Sequence, residues 1–490
     1  MSDSKFEVLR RHLPLDAQIG YGKLKYTVKP RPHWGDNDFI RYSAWLDNTQ
    51  WWSRSKLENF QLENLQALVK HAYENVPYYR RVFDQIKLKP QDIASLDDIQ
   101  KIPLLRREDI SKNLEDMVAR NYDRSRLRLI TTGGTTGKPL GVYQDKYTVD
   151  VNEMVYVIRQ WNWAGYELGD RIVTLRGNTI LRKSTQGKRA WWDYNPGHNE
   201  LILSSFEMDD DHLFKYIEII QKFQPSFIHA YPSSIEIFAR FMKRNSICSP
   251  SIEAIFCESE TLYPEQRKLI ESQFGCKIFS GYGMTERAAD AVECEQHQGY
   301  HVNMEYGILE LVDRFNQPIK MPGISGRVVG TGFDTFCMPI IRYVTDDIAE
   351  YGPDICKCTR QATLVKNFKG RLRELIFSKS GKIMPLMTCL SLHGNSFVKL
   401  SELKFIQERE GELIVQIAVA PNYSETEVRA ELQHELYQKL HPDEFVIKID
   451  VVKHVKRTER GKIGILEQRI PIKAEYMDAI GNPCSNACTS

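Results

Sequence analysis

An α/β protein is what this sequence predicts: a large amino-terminal domain with mixed or parallel sheets flanked by helices, followed by a small mobile α+β domain. Three observations carry that expectation. From about residue 130 to 350, short apolar runs alternate with helical patterns, as in EQRKLIESQFG (265–275) followed by CKIFSGYG. That alternation is the rhythm of strands joined through helices. After Arg371 the texture changes to the strand-like runs LKFIQER, ELIVQIAVA and FVIKIDVV. At 490 residues the chain also exceeds what one core usually organises. The boundaries drawn from these patterns are 1–370 for the large domain and 371–475 for the small one, with 476–490 as a tail.

Taken in order, residues 57–72 read as an amphipathic helix, with Leu65, Leu68, Val69 and Ala72 at i, i+3, i+4 and i+7. It runs into HAYENVPYYRR, where Pro77 is expected to end it. The segment Trp161 to Trp192 holds four of the eight tryptophans, a cluster that suits core or interface packing. In the small domain, a helix between the second and third strand-like runs has Ser424 and Glu427 as a capping box, with Val428, Leu432, Leu436 and Leu440 along one face. No internal repeat is present.

Composition excludes several classes of function. A net charge of +2 provides no global field for nucleic acid or an acidic membrane. No apolar run approaches the roughly 18 residues a membrane span needs. The opening MSDSKFEVLRRHL lacks an apolar signal core, so a cytoplasmic protein is expected. Ten cysteines without such a signal argue for free thiols or metal ligands rather than a disulfide framework.

The most informative segment is TTGGTTGKP, Thr131 to Pro139, reached through the apolar run RLRLI. Glycines let backbone N–H groups turn toward one concavity, and threonine hydroxyls and a lysine ammonium add donors to it, which is how proteins hold a polyphosphate. It is not a Walker A loop: Thr132 stands where that motif has its first Gly, and Pro139 follows Lys138 in place of Ser or Thr. An ordinary polar turn between two strands is the alternative. Four motifs follow in order. SGYGMTER (280–287) places Glu286 where a carboxylate suits a divalent cation beside phosphate. IIRYVTDD (340–347) is expected to end a strand in paired carboxylates, and Asp347 suits ribose hydroxyls. GRLRE (370–374) falls on the domain boundary, and RTERGKIG (457–464) sets Lys462 on a Gly-flanked loop.

In this order the motifs resemble those of the adenylate-forming superfamily. HAYENVPYYRRVFDQ, SLDDIQKIPLLRREDI and ECEQHQGYH make the chain most similar to its phenylacetate–CoA ligase branch, including relatives associated with capsule gene clusters. The resemblance spans residues 57–470. It implies two half-reactions. A carboxylic acid, aryl or acyl, attacks the α-phosphorus of ATP with Mg²⁺, giving an acyl-adenylate and pyrophosphate. A nucleophile then displaces AMP, most often the thiol of coenzyme A, with an amine or a carrier-protein thiol as alternatives. A catalytically inactive nucleotide-binding scaffold is the competing class.

Carried over by matching motif, the resemblance implies that Thr131, Thr132, Gly133, Gly134, Thr135, Thr136, Gly137 and Lys138 hold the pyrophosphate portion, and that Glu286 binds Mg²⁺. Tyr282, Gly283 and Thr285 would line the nucleotide, with Ser259 and Glu260 beside adenine and Asp347 on the ribose. Arg371 would contact ribose or phosphate, Arg373 would be the hinge, and Lys462 would bridge the attacking carboxylate and the α-phosphate. His229, Tyr231 and Pro232 would line the acid pocket. The chain departs from the superfamily pattern at Leu140, Asp346 and Arg373, where Lys, Gly and Asp or Lys are usual. Neither the acceptor nor the oligomeric state, a dimer included, is fixed by any motif.

In the resembled branch, the places occupied here by Cys294 and His301 and by Cys356 and Cys358 look like a structural zinc site. Three thiolates and one imidazole form a closed tetrahedral set. His297 competes with His301 for the fourth position.

Overall fold

The computed structural model describes residues 13–28, 37–131, 140–177, 191–368, 375–386, 396–457 and 463–470. Thr132 to Lys138, Arg371, Arg373, Lys462, the 370/371 boundary and the tail lie outside the described residues. The chain divides into two compact units, each assembled from separate stretches. The first comprises Met1–Asn37, Trp161–Phe279 and Glu374–Pro471; the second comprises Asp38–Gln160, Ser280–Arg373 and Ile472–Ser490.

The expected alternation of strand and helix is found in the first unit. Strands Glu200–Leu203, Ile172–Leu175, Phe227–Ala230 and Ala254–Glu258 lie side by side and parallel, with Trp192–Asn195 antiparallel at the edge. Parallel neighbours need long crossovers, which the helices Asp210–Phe223 and Pro232–Arg244 provide. All four residues of Ile172–Leu175 and of Phe227–Ala230 are buried, as strands covered on both faces must be. Gly275, at φ 68, closes the helix Pro264–Phe274, and Lys277–Gly283 then carries the chain from this unit into the other.

The three carboxy-terminal strand-like runs form Leu400–Gln407, Glu412–Val419 and Val446–Val451, joined by Leu466–Gln468 in one four-stranded sheet. Helix Glu425–Tyr437 lays Val428, Leu432 and Leu436 on it. Ser424 caps the helix by accepting from the Glu427 backbone N–H, and Leu440 packs from beyond the helix end.

In the second unit the alternation stops. From Ser280 to Lys366 the chain runs through antiparallel strands with no α-helix between them, ordered Pro318–Ile319, Gly307–Val312, Ser325–Gly332, Tyr343–Tyr351, Leu364–Lys366, Tyr300–Val302 and Asp290–Glu293. Connections as short as the Asp313–Gln317 turn leave no room for a crossover, so the strands pair antiparallel. The helix expected over 57–72 spans Arg54–Asn75, burying Leu57, Gln61, Leu65, Leu68, Val69 and Ala72. Pro77 does more than stop it: at the first position of the helix Pro77–Gln85 its missing N–H costs nothing. Among the described residues no helix is long and apolar enough to cross a membrane.

Candidate active site

In the second unit, the residues around the Gly/Thr loop's entrance are held by non-local pairing. Strand Leu127–Thr131 pairs antiparallel with Gly141–Asp145, so the loop joins the two arms of a hairpin and Thr131 stands exposed at its start. Gln144, on the returning arm, donates to the Thr285 carbonyl at 2.7 Å. The loop's second strand and the YGMTE segment are thereby tied together.

Asp346 and Asp347 do not end a strand as expected. They lie inside Tyr343–Tyr351, where its pairing with Ser325–Gly332 shifts register between Arg327 and Val329. The irregularity releases the two carboxylates from the ladder and turns them away from the core. Tyr282, near the end of its strand, donates its hydroxyl to Asp347 Oδ2 at 2.9 Å, and its ring stacks on Phe368 at 4.2 Å. Gly283 follows with its backbone in the same strand.

Glu286 is buried and accepts a hydrogen bond from the Tyr343 hydroxyl at 3.2 Å. Burial raises its pKa, against the Tyr343 bond and the charge of Arg107, with Asp347 raising it further. A divalent cation would invert that balance, because it stabilises the ionised carboxylate. The neighbouring Arg287 adopts a left-handed φ of 56° and is locked by Asp334 and by Glu153 at 3.2 Å. A Cβ on Gly332 would clash with the Arg287 carbonyl, so glycine is required there for the segment carrying Glu286 to lie flat.

Arg107 escaped the sequence reading, although it lies in the quoted SLDDIQKIPLLRREDI. That stretch docks along the Asp346 strand: Leu105 N–H donates to the Arg342 carbonyl at 2.9 Å, and Val344 N–H donates to that of Leu105 at 3.0 Å. The buried Arg342 guanidinium donates to the Ile102 carbonyl at 2.7 Å and pairs with Glu310 at 2.9 Å.

In the first unit, Tyr231 stands just before helix Pro232–Arg244 and Pro232 opens it. Ser259 holds a left-handed φ of 70°, a conformation unusual for a side-chain-bearing residue. The Glu260 carboxylate accepts from the Ser233 backbone N–H at 2.9 Å and its hydroxyl at 3.1 Å. It thus satisfies an open N–H in the helix's first turn. His229 lies on the central strand with Arg176 Nη1 2.6 Å from its Nε2. Arginine only donates, so Nε2 is the acceptor and the imidazole is neutral with its proton on Nδ1. Burial and then the Arg176 charge push the His229 pKa down. Burial alone would raise the Glu258 pKa, but the neighbouring His229 and Arg176 side chains, with the guanidinium 3.3 Å away, lower it to about 2. Arg176 also donates to Ser259 Oγ at 2.9 Å and lies over the Tyr231 ring.

The four candidate zinc ligands converge within the second unit. Strand Tyr300–Val302 pairs with Asp290–Glu293 on one side and with Leu364–Lys366 on the other, His301 facing Leu364. This places Cys294 and the Cys356–Cys358 turn beside His301, and the four ligand atoms all lie within 4.8 Å of one another. Tetrahedral zinc with bonds of about 2.3 Å to sulfur and 2.0 Å to nitrogen separates two thiolates by about 3.8 Å and a thiolate from an imidazole by about 3.5 Å. Cys294 Sγ is 3.7 Å from Cys356 Sγ, and Cys358 Sγ is 3.4 Å from His301 Nε2. Burial, then the neighbouring thiols, push the Cys294 thiol up, which a bound cation would reverse. His297 instead directs Nδ1 toward Glu293 at 3.7 Å. Gly299, at φ 142, turns the chain between the two histidines where a Cβ would meet the Val365 carbonyl at 2.7 Å.

No family model matches the chain. Among curated proteins it is 25% identical to the protein CapK of Staphylococcus aureus over 384 residues, 77% of this chain and 82% of that one. It is 28% identical to the phenylacetate–coenzyme A ligase of Pseudomonas putida over 402 residues, 80% of this chain and 86% of the relative. Among solved structures, 2-hydroxyisobutyryl-CoA ligase in its postadenylation state superposes with a TM-score of 0.65 at 16% identity, covering 88% of this chain and 92% of that one. The chain is thus similar in sequence to the protein CapK and to phenylacetate–coenzyme A ligases, and similar in fold to a 2-hydroxyisobutyryl-CoA ligase.

Proposed function

We propose that the chain activates a carboxylic acid with ATP as an acyl-adenylate and then transfers the acyl group to a thiol, that of coenzyme A. The observation that carries this reading is the pairing of Tyr282 with Asp347 and of Tyr343 with Glu286 in one unit, beside the hairpin that leads into the Gly/Thr loop. A phosphate loop, a buried carboxylate for a cation and a ribose-binding carboxylate are what positioning Mg-ATP requires. Names of the relatives supply the acid and the thiol.

Thr131 to Lys138 then hold the pyrophosphate portion, Tyr282, Gly283 and Thr285 line the nucleotide, and Asp347 orients the ribose. Ser259 contacts adenine. Glu260 supports it from behind, since its carboxylate is engaged with Ser233. His229, Tyr231 and Pro232 line the acid pocket, and Arg371 contacts ribose or phosphate. Glu286 would hold Mg²⁺, which neutralises phosphate charge as it develops. Lys462, supplied by a carboxy-terminal domain over 371–475 that turns about Arg373, aligns the acid oxygen with the α-phosphorus. Little covalent work is asked of the protein: alignment and charge neutralisation carry both steps. A structural zinc on Cys294, His301, Cys356 and Cys358 fits the donor set and spacing, and its closed shell leaves no position for chemistry. We place the protein in the cytoplasm, where ATP and coenzyme A are at hand.

ATP–pyrophosphate exchange across a panel of carboxylic acids, followed by coenzyme A, hydroxylamine and carrier-protein trapping, tests the reading. Acid-dependent exchange with thioester formation is expected. Amide formation with no thioester would replace the acceptor, and ATP binding without exchange for any acid would make the chain a scaffold.

A further inference from the structure

The residues that hold His229 carry more polar hydrogen than the described residues satisfy. Trp161 is 8% exposed and lies edge-to-face with the His229 ring at 5.0 Å, yet its Nε1–H has no hydrogen-bond partner among the described residues. Arg176 commits its two terminal nitrogens to His229 and Ser259, while its buried Nε–H likewise has no partner among them. Ser234, fully buried in the first turn of helix Pro232–Arg244, adds a hydroxyl in the same condition. Buried donors left this way are rare, because each has given up water for nothing. Arg176 and His229 lie at the carboxyl ends of the parallel strands Ile172–Leu175 and Phe227–Ala230, the edge where sheets of this kind receive ligands.

Charge decides which acceptor belongs there. Arg176 is already balanced by Glu258, 3.3 Å away, and His229 accepts at Nε2 and is neutral. Among the described residues, a second carboxylate would meet no uncompensated positive charge here and would face the Glu258 carboxylate. An uncharged oxygen would accept from the idle N–H groups without that repulsion.

We propose that the acid activated by this chain carries a second, uncharged oxygen, a hydroxyl or a carbonyl, which these donors bind. The inference rests on the adenylation reading above and goes past it by naming the substrate class. It distinguishes this chain from a ligase built for a purely hydrocarbon acid, because such an acid would leave the Trp161 and Arg176 N–H groups desolvated and unpaired.

Matched pairs of acids test it: phenylacetate against 4-hydroxyphenylacetate, benzoate against its hydroxylated forms, and butanoate against 3-hydroxy- and 3-oxobutanoate. In ATP–pyrophosphate exchange the oxygenated acid of at least one pair should be preferred by about 10-fold to 100-fold in kcat/KM. Trp161→Phe, which keeps the ring and removes the N–H, should raise KM for the preferred acid about 10-fold and narrow the preference, with KM for ATP unmoved. Exchange in which the hydrocarbon acid is used as well or better in every pair would overturn the proposal, whatever the variant does. So would a Trp161→Phe variant whose KM rises for ATP and not for the acid, since the donors would then face the nucleotide. Absence of exchange with every acid would remove the adenylation reading itself, and this proposal with it.

Discussion

Replacing Cys356 and Cys358 together by serine should cost the protein its metal and much of its heat resistance. Cys356 lies 3.7 Å from Cys294, 62 residues away in sequence, and a shared ion would close that stretch into a loop. A cross-link spanning 62 residues lowers the entropy of the unfolded chain by an amount worth about 4 kcal/mol at 25 °C. At 2–4 °C per kcal/mol for a unit of this size, the melting temperature should fall by on the order of 10 °C. Elemental emission on purified protein should find about one zinc per chain, absent from the double variant, and a strong chelator should lower the wild-type melting temperature by a similar amount. Differential scanning calorimetry with and without chelator reads both. Wild-type protein that contains no metal, or a double variant that melts with the parent, would show that four converging ligands are held by packing alone.

Lys462→Ala should depress adenylate formation by on the order of 10²–10³ with the fold intact, measured as pyrophosphate exchange beside circular dichroism. Adenylation at the parental rate with failed thiol transfer would assign Lys462 to the other half-reaction. Arg373→Pro restricts the backbone at the proposed hinge and should spare exchange more than thioester formation, whereas equal loss of both would put the pivot elsewhere. Tyr282→Phe keeps the stack on Phe368 but removes the hydroxyl that donates to Asp347, so KM for ATP should rise about 10-fold. An unchanged KM for ATP would detach Asp347 from the ribose.

Periodic features were legible in the sequence because they depend on near neighbours. The apolar face of Arg54–Asn75, the helix–strand passage 264–283 and the carboxy-terminal sheet all follow from spacing along the chain. Features set by strand partners were not. Nothing in YVTDD signals that Asp346 and Asp347 sit at a break in strand pairing, because the shift is defined against Arg327 and Val329 on a different strand. The choice between His297 and His301 waited on the pairing of His301 with Leu364. The engagement of Glu260 with Ser233 was not legible because it crosses 27 positions. Arg176 went unnoticed since only three-dimensional proximity joins it to His229 and Ser259.

The second unit is interleaved with the first along the chain, and that has a consequence for biosynthesis. Residues 38–160 leave the ribosome long before their partners between 280 and 373, a wait of about 10–40 s at 5–20 residues per second. Throughout that interval Leu65, Leu68 and Val69 can pack against Val76, Tyr79 and Phe83 of their own segment, but Ala288, Phe333 and Ile341, which complete the same core, have not yet been made. The nascent chain should therefore depend on holding chaperones during synthesis. Cys356 and Cys358 emerge close to the end of this interval, so capture of a cation would coincide with completion of the unit and could serve as its closing step.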